Sequence, residues 1–372
     1  MTVGDVVARH RVVVCVGTGG VGKTTLAAAI GLGAAMRGRR VMVLTIDPAR
    51  QLARSLGLDS LKPGGETVPA DALAAAGLAP SGTLEAGMLD QKRAWDAFIT
   101  RHASPDLLER ILANPFYQQL STSFSGSTEY MAIEELCHLA ESGHRDLLVL
   151  DTPPATHALD FLTAPERIDR LLDRDLSRWL TRPYQRAGRS AWRGAGATAR
   201  FLLRRLERTA GRGTLRDISA FFIAVDAFAA DLTRRTAQAR ALLYGPDAGF
   251  VLVAGPEQLV LAETDALAAR LRSHRARLQA IVLNRVHRRG ALPATATPFL
   301  TALADAGADA EAVAWLREVW THVRDRADSE AVERDRLDAA LPGGVARADI
   351  PESDHDTHSL ADLAAIAADL WR

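Results

Sequence analysis

The sequence predicts an α/β protein built on a mostly parallel, doubly wound sheet. Three observations carry this. Short apolar runs alternate with stretches of helical periodicity along the chain, the pattern of strands joined through helices on both faces of a sheet. The first of these runs, Val12–Val16, leads into a glycine-rich turn and then a helix-friendly run from Leu26. Finally, Lys23, Asp47, Asp151 and Asn284 all fall at or just after the ends of predicted strands, and open α/β sheets bind ligands outside the carboxyl ends of their strands.

Taken in order, residues Met1 to His10 are polar and hold no apolar core of leader-peptide length. After Val12–Val16 and its helix, the second strand is expected at Arg40–Ile46, ending in Asp47-Pro48-Ala49. Residues 59–82, rich in Gly, Pro and Ala, read as a surface loop. A short strand follows at Leu84–Met88, then helical periodicity from Gln91 to about Leu120. Ser121–Thr128 reads as a loop before a helix at Glu129–Glu141. The strand Leu147–Leu150 is closed by Asp151, and Pro165–Tyr244 is helical and strand-free. Strands at Gly249–Ala254 and Gln279–Leu283 flank a helix at Gln258–Ser273. Helices to about Ala340, a short strand at Val345–Ile350 and a helix at Ser359–Trp371 complete the chain. The blocks 91–143 and 160–245 are too long to be crossovers. They are expected to form a helical subdomain inserted into a single domain spanning 1–372. No internal repeat is present, so the chain reads as one half of a dimeric arrangement.

The stretch Gly17-Thr18-Gly19-Gly20-Val21-Gly22-Lys23-Thr24-Thr25 has the spacing G-x-x-x-x-G-K-[ST] between strand and helix. Glycines let backbone N–H groups turn toward phosphates at a helix N-terminus. Gly19, Gly20, Val21, Gly22, Lys23, Thr24 and Thr25 are the expected ATP-binding residues. Lys23 would reach the β- and γ-phosphates, and Thr24 would ligate Mg²⁺. Composition adds an independent argument. All but three of the 45 basic residues are arginine, the lysines being Lys23, Lys62 and Lys92. A chain that has nearly abandoned lysine keeps one where a compact ammonium is needed and a planar guanidinium does not fit.

Asp151, after four apolar residues, has the pattern of the carboxylate that holds Mg²⁺ beside a phosphate loop. Asp47 ends the strand that follows the first helix. A carboxylate there can position or deprotonate the attacking water, and can also cap a helix beginning at Pro48. Asp47 is therefore expected as a catalytic residue with Lys23, and as a metal-site residue with Thr24 and Asp151.

Together, Gly17–Thr25, Thr45–Arg50 and Asp151–His157 resemble the family of the arsenite-pump ATPase and the tail-anchored-protein targeting ATPase. Leu89-Asp90 with Ala94–Asp96, Gly126–Leu136 and Ile281–Val286 look like that family as well. The resemblance implies a nucleotide-dependent dimer using ATP and Mg²⁺, with Asp47 in a first switch and Asp151–His157 as a second. It implies that Asn284 reads the adenine edge, in keeping with the paired donor and acceptor of an amide. It implies that Ile350–Ser353, with Pro351, flanks the base. The sequence departs from the family at Thr18, where the family has a lysine that reaches the partner's phosphates. That departure implies slow hydrolysis by the chain alone, and either a homodimer or a heterodimer with a lysine-bearing paralogue. The alternative function is a weakly hydrolysing, nucleotide-binding subunit of such a heterodimer. The thiols that bind arsenite, the Cys-x-x-Cys of the targeting ATPase and a methionine-rich client groove have no counterpart here.

The formal net charge of zero gives no general case for nucleic-acid binding. A partition-type ATPase that binds DNA or membrane would lack the helical block 160–245. Cys15 and Cys137, the two cysteines, exclude a disulfide framework and read as core thiols. His138, His144 and His287 show no metal-ligand spacing. No apolar run approaches the ~20 residues of a membrane span, and the expected location is cytoplasmic, with peripheral attachment to membrane as an option. From Arg178 to Arg205 the chain carries eight arginines, Trp179, Trp192 and Phe201 without an acidic residue. This segment reads either as a contact for anionic membrane or a membrane-protein partner, or as a solvated face.

Overall fold

A computed structural model describes residues 1–46, 51–123, 127–153, 163–164, 212–226, 229–256, 258–287, 295–340, 343–355 and 359–372. Asp47, the end of the second-switch segment and the arginine-rich stretch 178–205 lie outside the described residues. The chain divides into two compact units. One comprises Met1–Gly87, Arg145–Ala158 and Pro246–Arg372; the other comprises Met88–His144 and Leu159–Gly245.

The first unit is an α/β layer structure around an eight-stranded sheet of order β3-β4-β2-β5-β1-β6-β7-β8. The strands are β1 (Val12–Gly17), β2 (Arg40–Thr45), β3 (Glu66–Thr67), β4 (Thr83–Met88), β5 (Leu147–Asp151), β6 (Ala248–Ala254), β7 (Leu278–Val286) and β8 (Ala346–Pro351). The pairs β2–β5, β5–β1, β1–β6, β6–β7 and β7–β8 are parallel, and β3–β4 is antiparallel. Every residue of β1, β5 and β6 is buried, as required of strands covered on both faces.

The helix α1 (Val3–Arg9) overturns the reading of the N-terminus as merely polar. Val3, Val6 and Val7 lie on one face at helical spacing and are buried. Thr2 and Asp5 form a reciprocal capping box at its start, satisfying two backbone donors that a helix leaves open. The next helix, α2 (Lys23–Ala35), is buried along nearly its whole length and is built largely of Ala and Gly. The small residues permit close approach. A Cβ at Gly31 would lie 2.4 Å from Val43, and one at Gly33 would lie 2.4 Å from the ring of Trp371. Leu26 and Ile30 supply the larger volume, and fully burying such a side chain stabilises by about 1.5–3 kcal/mol. Residues 59–82, expected as loop, contain β3 and a short helix α4 (Ala70–Ala75); a five-residue helix, α3 (Gln51–Ser55), precedes them. Val68 and Leu73 are buried under this segment, which is the packing that orders it.

The second unit is helical among its described residues. It contains α5 (Gln91–His102), α6 (Pro105–Leu112), α7 (Pro115–Ser123), α8 (Ser127–Glu141), α9 (Arg212–Asp226) and α10 (Ala229–Tyr244). The expected single periodicity from Gln91 to Leu120 is thus three helices. Pro105 and Pro115 begin two of them, since proline fits a first turn and not an interior. Asn114 secures the second break. Its Oδ1 accepts from the backbone N–H of Phe116 (2.9 Å) and Tyr117 (3.2 Å), while its Nδ2 donates to the Asp217 carbonyl at 2.9 Å. Tyr117, Tyr130 and Phe98 are fully buried. Arg235 donates to both oxygens of buried Glu134, at 2.8 and 3.2 Å. Cys137 is core as expected, its thiol pushed up to about 12 first by burial and then by the Glu134 carboxylate.

Back in the first unit, α11 (Gln258–Ser273) joins β6 to β7. The helices α12 (Thr297–Asp305) and α13 (Ala310–Ala340), which contact each other, precede β8, and α14 (Leu360–Leu370) packs on α2. No helix among the described residues is long and apolar enough to cross a membrane.

Candidate functional site

The site begins where β1 runs out. Gly17 ends the strand so close to β6 that a Cβ there would lie 2.2 Å from the Val253 carbonyl oxygen. The chain then turns through Gly20 and Gly22, whose φ angles of 77° and 89° only glycine adopts without strain. Gly22 is the N-cap of α2, in left-handed conformation and without a side-chain cap. The first N–H groups of α2 therefore have no side-chain acceptor at the cap, the arrangement that makes a helix N-terminus an anion site. Lys23 is buried, and its Nζ donates to the Thr18 carbonyl oxygen at 2.7 Å. The ammonium thus spans the loop from helix to turn and sits where negative charge would be held.

Beside the loop, three side chains from three elements converge. The Thr24 hydroxyl, at the start of α2, donates to Asp151 Oδ2 at 2.8 Å. The Thr45 hydroxyl, at the end of β2, donates to the same oxygen at 3.0 Å. Sheet register explains the meeting. Asp151 pairs with Cys15 on one side and Thr45 on the other, so all three stand level at the carboxyl edge. Asp151 is fully buried, and the Thr152 hydroxyl fixes the strand end by donating to the Cys15 carbonyl at 2.7 Å. Burial, with the Asp151 carboxylate beside it, holds the Cys15 thiol far above its ordinary pKa. Cys15 is a core thiol, as the sequence suggested. Among the described residues no group of three His, Cys, Asp or Glu could hold a metal ion on its own. One hydroxyl and one carboxylate of hard oxygen character fit instead an ion that takes few protein ligands and completes its shell with phosphate and water, as Mg²⁺ does.

The other end of the site lies on β7 and β8. Asn284 is buried and its Nδ2 donates to the Val21 carbonyl at 2.9 Å. A Cβ on Gly22 would lie 2.3 Å from that nitrogen, so the amide is seated on the loop itself. One amide hydrogen and the amide oxygen keep capacity for a ligand. A cavity of about 520 Å³ opens here, bordered by Gly22, Thr25, Asn284, Arg285, Ile350 and Pro351 on one side and by α14 on the other. The β7–β8 pairing shifts register between Leu283 and Val286, and Arg285 occupies that bulge with φ of 61°. A left-handed non-glycine residue costs about 1–2 kcal/mol. The other such residue among those described, Arg275, closes α11, where this conformation is an ordinary helix ending.

Gly19–Thr25, Asp151, Asn284 and Pro351 are thus brought to one edge of the sheet. Thr45 as a partner of Asp151 was not among the expected site residues. Its signal was a lone hydroxyl at the carboxyl end of a strand that is apolar from Val41 to Leu44. Arg285 was also missed, because a positive φ leaves no mark on a non-glycine residue in the sequence.

A parallel-dominated sheet whose first strand feeds a glycine-rich turn, a buried lysine and a Thr–Asp pair defines a phosphate-loop nucleotide-binding fold. The model of the family described as Anion-transporting ATPase matches residues 10–185, and over those residues the chain is similar to that family. An uncharacterized protein of Streptomyces coelicolor is 35% identical over 170 residues, 44% of this chain and 39% of that protein. The ATPase GET3 of Malassezia globosa is 28% identical over 161 residues, 42% of this chain and 43% of that protein. The ATPase get3 of Aspergillus terreus is 29% identical over 159 residues, again 42% and 43%. The matches therefore span about two fifths of each of these relatives. Asn284, Arg285 and Pro351 lie beyond the family-matched stretch.

Proposed function

We propose that the chain is a Mg²⁺-dependent ATPase acting as a nucleotide-driven switch. The observation that carries this is the meeting of the Thr24 and Thr45 hydroxyls on one Asp151 oxygen beside a lysine-spanned phosphate loop. Lys23 and the N–H groups of Gly19–Thr25 would hold the β- and γ-phosphates. Thr24 and Asp151, joined by Asp47, would hold Mg²⁺, which when bound neutralises charge on the phosphates. Asp47 would orient and deprotonate the attacking water. Asn284 and Pro351 would receive the base. The helical segments 91–143 and 160–245, within one ATPase domain, would convert nucleotide state into binding of a client or partner protein. The segment 178–205 is a candidate contact for that partner or for anionic membrane. The similarity of residues 10–185 to the anion-transporting ATPase family and the ATPases among the relatives support the reading.

The assembly is proposed as a dimer, and Thr18 favours a second reading. Its hydroxyl is buried and without a hydrogen-bond partner among the described residues. A neutral side chain in that position supplies no charge to a facing site, and trans-acting charges are worth ~10³-fold or more in such reactions. The chain would then be the weakly hydrolysing member of a heterodimer with a lysine-bearing paralogue. The experiment is phosphate release by the purified chain with ATP, with and without Mg²⁺, alongside mass measurement with ATP and with ADP. Mg²⁺-dependent release that is lost in Asp47→Asn supports the ATPase. Release equal in parent and Asp47→Asn removes Asp47 from the chemistry. A large gain in Thr18→Lys alone favours the second reading, and rapid turnover by the parent homodimer excludes it.

A further inference from the structure

We infer that Arg285 is a base-stacking residue: its guanidinium closes over the purine ring of the bound nucleotide, opposite Pro351. The inference rests on the nucleotide reading above and deepens it at the base end of the site.

Three observations carry it. First, Arg285 and Pro351 border the same cavity, adjoining Asn284 and the phosphate loop. At about 520 Å³ the cavity is larger than a purine requires, so a base held only by the Asn284 amide would be fixed at its edge and loose over its faces. Second, the Arg285 side chain is exposed and makes no hydrogen bond or ion pair among the described residues. It differs in this from Arg39, Arg145 and Arg347 of the same unit. Arg39 holds the carbonyls of Val7 and His10, Arg145 pairs with Glu85, and Arg347 pairs with Asp338 and Asp349. Glu352, Asp362 and Asp369 line the same cavity, yet Asp362 is engaged by Ser359 and His355, and Asp369 by Arg372. Two of the three lining carboxylates are thus already in use.

Third, the chain accepts a left-handed conformation at Arg285, inside a strand bulge where it serves no helix ending. Glycine would adopt the same φ without strain. Strain retained at a cavity wall is the pattern of a residue kept for its side chain. The bulge takes Arg285 out of the ladder between Leu283 and Val286, while Glu352 N donates to the Val286 carbonyl at 3.1 Å and secures the far side of the same turn. A planar, weakly hydrated guanidinium is suited to lie flat on an aromatic ring, and the other planar cation-forming side chain of the lining, His355, is held by Asp362.

The test uses the full chain and Mg·ATP in calorimetric titrations of the parent, Arg285→Gly and Arg285→Lys. Arg285→Gly removes the plane and relieves the backbone. Its ligand-free melting temperature should equal or exceed the parent's, while its dissociation constant for ATP rises about tenfold, the upper part of the range for a cation over a ring. Arg285→Lys keeps the charge and loses the plane, and should bind ATP no better than about twofold above Arg285→Gly. Parent-like affinity in Arg285→Lys would show that charge alone acts and would overturn the stacking assignment. Parent-like affinity in Arg285→Gly would overturn it outright. A parent that binds no ATP would sink the nucleotide reading itself, an outcome distinguished by the absence of any difference among the three proteins.

Discussion

The two ends of the candidate site are built on different principles. The phosphate end is almost entirely local. Nine consecutive residues, Gly17–Thr25, supply the turn, the ammonium and the hydroxyl, and one long-range partner, Asp151, meets them through strand register. The base end is assembled from distant pieces. Asn284 and Arg285 stand on a bulged β7, Pro351 ends β8, and α14 closes the side. The family match covers the first end and stops short of the second. Locality makes the phosphate end recognisable and hard to vary. The base end, set by a bulge and a loop, is where this chain can differ from its relatives.

The comparison can be broken most severely at its phosphate end. Asp151→Asn keeps the shape but removes the charge facing Thr24 and Thr45. ATP hydrolysis should fall by about 10²-fold or more, in the range lost with a preorganised electrostatic group, and ATP binding should lose most of its Mg²⁺ dependence. Phosphate release and calorimetry with and without Mg²⁺ check this. An Asp151→Asn chain with parental turnover would reduce the Thr–Asp cluster to a structural tie.

Gly22→Ala tests whether the ends are mechanically joined. The new methyl would stand 2.3 Å from Asn284 Nδ2, at a residue with φ of 89°. It should lower stability by about 1–3 kcal/mol, measured by denaturant unfolding, and weaken ATP binding beyond what the fold loss explains. Normal affinity in this variant would show that Asn284 and the loop move independently.

Asn284→Ala acts at the base end alone. The Val21 carbonyl loses its donor, and the base loses its edge contact. Competition between ATP and GTP should show discrimination falling by about tenfold, the value of one hydrogen-bonded contact of ~1.4 kcal/mol. Unchanged preference would move base recognition away from this residue.

How far the sequence could be read follows the same division. The parallel sheet, the phosphate loop and the edge position of Asp151 were legible because each rests on a contiguous pattern: a strand–turn–helix, or an apolar run closed by one acid. The helix α1 was overlooked although Val3, Val6, Val7 and the Thr2–Asp5 box announce it. Three valines among polar neighbours weigh little until a core exists to receive them. The division of 91–120 into three helices was written in Pro105 and Pro115. Arg285 was illegible, since its conformation is imposed by pairing between β7 and β8 and not by its own preference.

The smallest expected effect lies at the opposite edge of the sheet, and serves as a control remote from both ends. Arg40, through its side chain and its backbone N–H, holds the Asp146 carboxyl well below its ordinary range, at about 2. A depressed carboxylate pKa contributes stability that is complete above the unfolded value and is lost as pH falls through the folded one. Asp146→Asn should therefore melt slightly below the parent at pH 7, the gap closing between pH about 4 and about 2. The pair is exposed, so the difference is small, and ATP binding should not change. A gap that widens on acidification would contradict the pairing.

The central claim is that the loop Gly17–Thr25 holds the phosphates of a nucleotide through Lys23. Its most direct measurement is calorimetric titration of ATP into the purified parent chain and into Lys23→Ala. Lys23→Ala retains every backbone donor but loses the ammonium that spans the loop. The account predicts saturable binding by the parent and loss of affinity by about 100-fold or more in the variant, the cost of removing one buried charge-assisted contact of ~3 kcal/mol. Binding by Lys23→Ala within a few-fold of the parent would contradict it.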